Sequence, residues 1–325
     1  MKVCIIGAGA VGGLIGSKLA AAGRAELSVV ARGATLAALR EHGWRLRSGE
    51  ALTQVAARAS DRPAELGVQD LVVIAVKGPA LSAAVASIAP LLGADTMVLP
   101  AMNGVPWWFC HGIRGVGETP LESVDPGGAI ARAIAQRHVV GCVVHASAST
   151  PEPGLVVHRT GQGLIVGEPA GGRSERVQRV AFLLAHAGFD ITHSADIRHD
   201  IWYKLWGNLT MNPASAITGA TIDRILAYPE LRAFCSAAML EAAAIGARLG
   251  CTIAQTPEDR HAVTAKLGTF KSSMLQDVEL NRVIELDSIV RAVHEIGQRL
   301  GLPMPMIGAL LGFTRLFGQV RGLYP

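Results

Sequence analysis

Residues 2–12 constrain this chain more than any other stretch. Lys2-Val3-Cys4-Ile5-Ile6 is almost wholly apolar, as in a strand buried on both faces of a parallel sheet, and it runs straight into Gly7-Ala8-Gly9-Ala10-Val11-Gly12. Apolar residues then recur at helical spacing to about Ala22. Gly23 stops that helix, and Leu27–Ala31 reads as a second strand. In such a strand–turn–helix unit the three glycines have separate duties. Gly7 allows the tight turn, Gly9 lets a pyrophosphate approach the backbone, and Gly12 lets helix and strand pack closely. The phosphates then meet the helix N-terminus, where free N–H groups and the dipole attract anions. With 37 glycines in the chain a bare GxGxxG arises by chance. The strand before it and the helix after it separate a dinucleotide cradle from a ligand-free glycine turn. Gly7, Ala8, Gly9, Ala10, Val11 and Gly12 are therefore the expected cofactor-binding turn.

About twenty residues further on, an NAD-selective site places an acid at the end of the second strand. This sequence has Val30-Ala31-Arg32-Gly33 there. An acid would repel a 2′-phosphate, whereas Arg32 can grip one bidentately, so NADPH is favoured over NADH, and FAD is disfavoured because no acidic ribose ligand stands where one is needed. The competing reading of Arg32 is a solvated loop arginine. Lys77, after Val72–Val76, and Asn103-Gly104, after Val98–Met102, also fall at carboxyl ends of predicted strands, the edge where ligands bind in such sheets. Lys77 suits a cofactor phosphate or ribose, and Asn103 suits the substrate or the nicotinamide ribose. Each alone could equally be an ordinary polar loop residue.

The alternation continues with strands over Asp70–Val76 and Thr96–Pro100, separated by a helix over Ala80–Leu92, which implies an open parallel sheet covered on both faces. Between Val139 and Val166 the texture changes to short strand-like runs (Val139–His145, Gly154–His158, Leu164–Gly167), predicted as antiparallel strands at the sheet's edge. A helix over Ser174–Ala187 and a strand near Phe189–His193 complete this part. From about Asp196 nearly everything is helical: Ile197–Met211, Pro229–Leu249, a broken stretch over Pro257–Ser272, Val283–Leu300, and a short helix near Ala309–Phe317 after Pro303, Pro305 and Gly308. The expected architecture is α/β: a doubly wound nucleotide-binding domain over 1–195, then an all-helical domain over 196–325.

Composition excludes several classes. At 325 residues, half of them hydrophobic and 17% charged, the chain can bury two domain cores. A net charge of +4 without dense Lys/Arg runs argues against nucleic acid. No run reaches the roughly 18 uninterrupted apolar residues of a membrane span, Lys77 and Pro79 breaking the best candidate around Leu71–Ala86, and the N-terminal strand is too short for a secretory leader. Cys4, Cys110, Cys142, Cys235 and Cys251 form no CxxC pair and no zinc spacing. The expectation is a cytoplasmic, reduced, metal-free protein, with the apolar helix around Phe234–Leu249 as a possible homodimer surface.

One helix carries chemistry. In Trp202-Tyr203-Lys204-Leu205-Trp206-Gly207-Asn208-Leu209-Thr210-Met211-Asn212-Pro213, Lys204, Asn208 and Asn212 are spaced i, i+4, i+8 and rise along one stripe between apolar flanks. The bland reading is a snorkelling lysine, with asparagines capping a helix that ends at Pro213. The functional reading is carbonyl reduction: negative charge develops on oxygen as hydride arrives at carbon, and a positioned ammonium stabilises it and donates a proton. Desolvation would lower the lysine pKa toward the working range. Downstream, Ser273 is a natural donor to a carboxylate, and Glu285 a natural acceptor for a hydroxyl or partner for Lys204. On one straight helix these two would lie about 18 Å apart and could not share a small substrate. A break near Glu279–Arg282 is therefore predicted, with Glu285 in the first turn of the next helix.

Taken together, Gly7–Gly12, Arg32, Lys77, Asn103-Gly104, Trp202–Pro213 and Ser272-Ser273-Met274-Leu275-Gln276-Asp277 followed by Glu285 resemble the ketopantoate reductase (2-dehydropantoate 2-reductase) family. The resemblance spans nearly the whole chain. It implies a Rossmann domain joined to a helical domain of the 6-phosphogluconate-dehydrogenase type, with substrate in the cleft between them. It implies NADPH-dependent reduction of ketopantoate to pantoate, in pantothenate and coenzyme A biosynthesis. Lys204 is then the general acid and Glu285 the partner of the substrate hydroxyl, while Asn103, Asn208, Asn212 and Ser273 shape the substrate site. Three departures bear on the substrate: Phe270 where family members often carry Asn, Met102 in place of His, and the bulky Val105-Pro106-Trp107-Trp108-Phe109. They leave room for another 2-oxo acid. The rivals are a hydroxyacid or opine-type dehydrogenase on the same scaffold, whose usual NAD-type acid Arg32 contradicts, and a non-catalytic dinucleotide sensor, which gives Lys204, Asn208, Asn212 and Glu285 no common purpose.

Overall fold

Four buried residues of the first strand anchor the architecture. In the computed structural model, which describes residues 1–266 and 268–325, β1 (Lys2–Ile6) is followed by α1 (Ala10–Ala22), β2 (Glu26–Val30) and α2 (Gly33–His42). Next come β3 (Trp44–Ser48), β4 (Ala51–Val55), β5 (Arg58–Ser60), β6 (Leu71–Ile74), α3 (Gly78–Val85) and β7 (Met97–Pro100). A parallel sheet runs in the order β5-β2-β1-β6-β7. The chain winds outward from β1 in one direction through β2 and β5, then in the other through β6 and β7. The reversal leaves a crevice beyond the carboxyl ends of β1 and β6, where such sheets take ligands.

After α4 (Ala129–Ala133) come β8 (Gly141–Glu152), β9 (Leu155–Gly167), α5 (Glu175–His186) and β10 (Asp190–His193). The short runs expected over Val139–Val166 at the edge of the parallel sheet are instead one long hairpin in a second sheet, ordered β10-β9-β3-β4 with β8 on the other side of β9. The sequence concealed this because the middle of the hairpin is exposed and polar, with register shifts between His145 and Glu152, so no continuous apolar period marks it. Helix α1 packs on both sheets, and its glycines permit it. A Cβ on Gly13 would lie 2.4 Å from Val156, and one on Gly16 would lie 2.2 Å from the buried Trp44 ring.

The remaining helices are α6 (Ile197–Thr218), α7 (Ile222–Ala227), α8 (Pro229–Arg248), α9 (Pro257–Ala265), α10 (Ser273–Glu279), α11 (Ala292–Arg299) and α12 (Pro305–Val320), with a π-helical turn over Asp287–Arg291 leading into α11. Helices α6 and α12 run further than expected. Helix α6 does not end at Met211 but runs through Pro213. The proline costs the bond to the Leu209 carbonyl, and burial of Leu209, Met211, Ala214 and Ala216 offsets it. Helix α12 is not interrupted by Pro305 and Gly308. Pro305 occupies its first turn, where a missing N–H is harmless, and the Glu241 carboxylate of α8 accepts from the N–H groups of Met306 and Ile307, each at 2.9 Å.

The chain forms two compact units, Met1–Met102 with Ala129–Asp200 and Asn103–Gly128 with Ile201–Pro325. Segment 103–128 joins the second unit for physical reasons. Trp107, Trp108 and Phe109 are buried there, with Phe109 stacked on Trp202. Glu295 accepts from the N–H groups of Glu122 and Ser123, and Arg299 donates to the carbonyls of Val116, Thr119 and Pro120. Burial opposes ionisation of Glu295, but those donors together with Arg299 hold its carboxyl below the usual range.

Candidate active site

In the first unit, the turn after β1 is shaped for an anion. The Gly7 N–H donates to the Val30 carbonyl at 3.1 Å, fixing the turn to β2, and its φ of 92° suits glycine. A Cβ on Gly12 would sit 1.9 Å from the Gly7 carbonyl oxygen, so helix and turn touch backbone to backbone. Gly9 faces open space: nothing lies within 4 Å of where its Cβ would be. Gly9 is also the N-cap of α1 and offers no side chain to the first N–H groups of that helix. An open approach above free N–H groups fits a pyrophosphate. Arg32 and Lys77 are both exposed, at the N-caps of α2 and α3, just past the carboxyl ends of β2 and β6. The strands flanking β1 therefore deliver both cations to the sheet edge that carries the glycine turn.

In the second unit, Lys204 Nζ donates to Asn103 Oδ1 at 2.9 Å. Both partners are firmly placed. Trp202 and Trp206 insert into the core and donate their indole N–H groups to the carbonyls of Ala242 and Met239, which fixes the rotation of α6. Lys204, half-buried, thereby emerges beside Asn208, also half-buried, and below the buried Asn212. Asn103 is set by its neighbours: Val105 N–H donates to the Ser288 carbonyl at 2.8 Å, and Gly104 lies so close that a Cβ would be 2.4 Å from that oxygen. Ser288 belongs to the π-helical turn just after Glu285, a feature frequent at functional sites.

The break expected after α10 is present. Arg282 N–H donates to the Asp277 carbonyl and Asn281 N–H to that of Val278, with Asn281 in the left-handed region at φ 55°. Asparagine here fills the helix-ending position that glycine usually takes. Glu285 is buried, but it stands just ahead of the next helical turn rather than in it. Ser273 begins α10 and is exposed, while its neighbour Ser272 is the N-cap and accepts from Leu275 N–H. Among the described residues, the amide nitrogen of buried Asn212 and the hydroxyl of buried Ser288 have no hydrogen-bond partner. Buried polar groups left so are suited to a polar ligand. Ser288 carried no sequence signal, because the π-helical turn that exposes its carbonyl leaves no periodic mark.

The departures around the site have structural places. Phe270 packs against the cluster of Met211, Ala214, Ile222 and Ile225. The bulky Trp107-Trp108-Phe109 stretch is core, not loop surface. None of the five cysteines is in a disulfide and all are buried, and burial pushes the thiols of Cys4 and Cys235 up to about 11. Among the described residues no group of three His, Cys, Asp or Glu side chains could hold a metal, and no helix is long and apolar enough to cross a membrane.

Comparison with known proteins is consistent along the whole chain. The family model for ketopantoate reductase PanE/ApbA matches residues 3–171, and the model for its C-terminal part matches residues 196–317. The chain is 45% identical over 325 residues to a 2-dehydropantoate 2-reductase of Mesorhizobium japonicum, covering 100% of each. It superposes with a TM-score of 0.95 on the crystal structure of a candidate ketopantoate reductase from Ralstonia solanacearum MolK2, at 52% identity and 99% coverage of both chains. The fold is shared more widely. A D-mandelate dehydrogenase solved with NADH and anilino(oxo)acetate superposes with a TM-score of 0.86 at 19% identity, over 99% of this chain and 100% of that one.

Proposed function

We propose, from the premise that this chain belongs to the ketopantoate reductase family, that it reduces ketopantoate to pantoate with NADPH, serving pantothenate and coenzyme A synthesis. The chain is a dinucleotide-dependent oxidoreductase acting on CH–OH groups. The acid, the phosphate selectivity and the substrate are the finer reading. The nicotinamide cofactor supplies the hydride. The rest falls to side chains of this protein. In this reading residues 1–195 hold the dinucleotide through Gly7–Gly12, Arg32 and Lys77, and residues 196–325, with Asn103, handle the substrate.

The observation that carries the proposal is the contact between Lys204 Nζ and Asn103 Oδ1. A neutral acceptor orients the ammonium without cancelling its charge, as an acid meeting a nascent alkoxide requires. Lys204 passes its proton to the carbonyl oxygen as that oxygen becomes negative. Asn208 and Asn212 extend the polar stripe along the substrate, with the unpaired Asn212 amide available to an oxygen. Glu285 accepts from the substrate hydroxyl, and Ser273 donates to the carboxylate.

A second reading keeps this mechanism and changes the acid, favoured by Phe270 standing apolar beside Met211. The deciding experiment follows NADPH oxidation with ketopantoate and a panel of 2-oxo acids, for wild type and Lys204→Met together. The proposal expects NADPH-linked turnover of ketopantoate, lowered on the order of 10²–10⁴-fold in Lys204→Met with cofactor binding intact. Turnover of a different acid alone moves the substrate, and an undiminished Lys204→Met removes the assigned acid. The proposed setting is the cytoplasm, supported by five cysteines none of which is in a disulfide.

A further inference from the structure

Glu285 sits in a short connection, yet the residues on either side of it are tied down by the chain that follows α12. Helix α12 ends as α10 does: Gly322, at φ 68°, donates to the Gln319 carbonyl at 3.1 Å, and Leu323 N–H to that of Gly318 at 2.8 Å. This turn folds the chain back. The carbonyl of buried Leu323 then accepts from Ile284 N–H at 3.0 Å, and the Tyr324 hydroxyl donates to Asp287 Oδ1 at 2.7 Å. Arg291 meets the same carboxylate oxygen at 3.2 Å. The fit is close: a Cβ on Gly318 would lie 2.7 Å from Tyr324 Cβ and 3.3 Å from Ile284 Cδ1. Glu285 is flanked by Ile284, tied through its backbone, and followed two residues later by Asp287, tied through its side chain.

We propose that Gly322–Tyr324 is a strap that sets the position of Glu285, with Tyr324 a positioning residue for recognition of the substrate hydroxyl. The inference rests on the reading above that Glu285 accepts from that hydroxyl. A carboxylate recognises a hydroxyl only when it is held at hydrogen-bond distance, and loosening its connection spreads it over positions that miss. Tyr324 touches no substrate in this account. It acts through Asp287 and the backbone between. Burial and donation to Asp287 raise its phenol pKa above the usual 10, so the donor stays protonated across the assay range.

The test measures steady-state kinetics with NADPH on two acids: ketopantoate, and 3,3-dimethyl-2-oxobutanoate, which lacks only the hydroxyl. Wild type, Tyr324→Phe, Tyr324→Ala, Glu285→Ala and the double variant Glu285→Ala/Tyr324→Phe are compared. Tyr324→Phe removes one oxygen from a half-buried ring and keeps the packing; Tyr324→Ala removes the whole ring. The expectation for Tyr324→Phe is a rise in KM for ketopantoate, lowering kcat/KM roughly fivefold, with kcat and the KM for NADPH unchanged and the deoxy acid unaffected. Tyr324→Ala goes further in the same pattern. The double variant is no worse than Glu285→Ala, because the strap has nothing left to position. Equal losses on both acids, or additive losses in the double variant, overturn the strap while leaving the role of Glu285 standing. If Glu285→Ala itself treats the two acids alike, the hydroxyl reading fails and the strap with it.

Discussion

Arg32 and His261 show how differently two charged-looking side chains can matter. Arg32 is exposed at the N-cap of α2, with no acid at the neighbouring position of the second strand, so its place suits a 2′-phosphate. Arg32→Ala is expected to raise the KM for NADPH roughly tenfold and to leave that for NADH nearly unchanged, read from paired titrations of the two cofactors. His261, 2% exposed, exchanges a hydrogen bond with Ser236 Oγ at 3.0 Å and faces Glu258 and Arg232. Burial lowers its pKa below 6.5, with Arg232 adding to the effect and Glu258 opposing it. The fold therefore holds the neutral ring, and the unfolded chain takes the proton first as pH falls. Its contribution to stability is complete above pH 6.5 and is lost as pH drops from there through the depressed folded value. Melting temperatures of wild type and His261→Gln between pH 7.5 and 5 check this. The wild type should lose more over that interval, and parallel curves would refute the assignment. His261 is silent in the sequence, since a lone histidine in a helix carries no spacing signal, whereas Lys204 announces itself through the two asparagines on its stripe.

At the scale of elements, the glycine turn separates folding from binding. A Cβ at Gly12 collides with the Gly7 carbonyl, whereas one at Gly9 enters open space. Gly12→Ala is thus expected to cost about 1–3 kcal/mol or more of stability, as overpacking does. Gly9→Ala should melt with wild type yet lose NADPH affinity, because the methyl group fills the approach to the helix N-terminus. Thermal melts with fluorescence titration of NADPH distinguish the two, and a Gly9→Ala protein that binds NADPH normally would remove the pyrophosphate from this turn. The first βαβ unit was legible because its apolar run, glycines and helical period agree. β3, β4 and β5 were not, since Trp44–Ser48 and Ala51–Val55 carry Arg, Thr and Gln and are largely exposed on the β4 side. The break before Glu285 was legible from a distance argument, but its exact form, Asn281 in the left-handed region with Glu285 outside the helix, needed coordinates.

At the scale of the whole molecule, the exposed apolar surface bears on association. Helix α8, with the apolar content expected to serve a dimer, buries Cys235, Ala238, Met239, Ala242 and Ile245 in its own unit. Apolar side chains are left outside on α12 instead: Phe313, Leu316 and Val320 are 68%, 61% and 79% exposed, on one helical face. A homodimer is the expected state, measured by light scattering as twice the 34.0 kDa of the chain. Phe313→Glu should shift that mass toward the monomer, and a wild type at the monomer mass would end the expectation.

The sequence by itself determined the class of fold, the glycine turn with its strand and helix, the polar stripe of α6 and the need for a break ahead of Glu285. Each of these rests on contacts local in the chain, where spacing translates directly into geometry. Only the tertiary structure decided that segment 103–128 packs with the helices, that Asn103 is the acceptor for Lys204, and that Leu323 and Tyr324 bracket Glu285. Those contacts join residues tens to more than a hundred positions apart. They form because buried indoles, a close glycine approach and two left-handed helix ends bring distant backbone together, and no periodicity within one element records that.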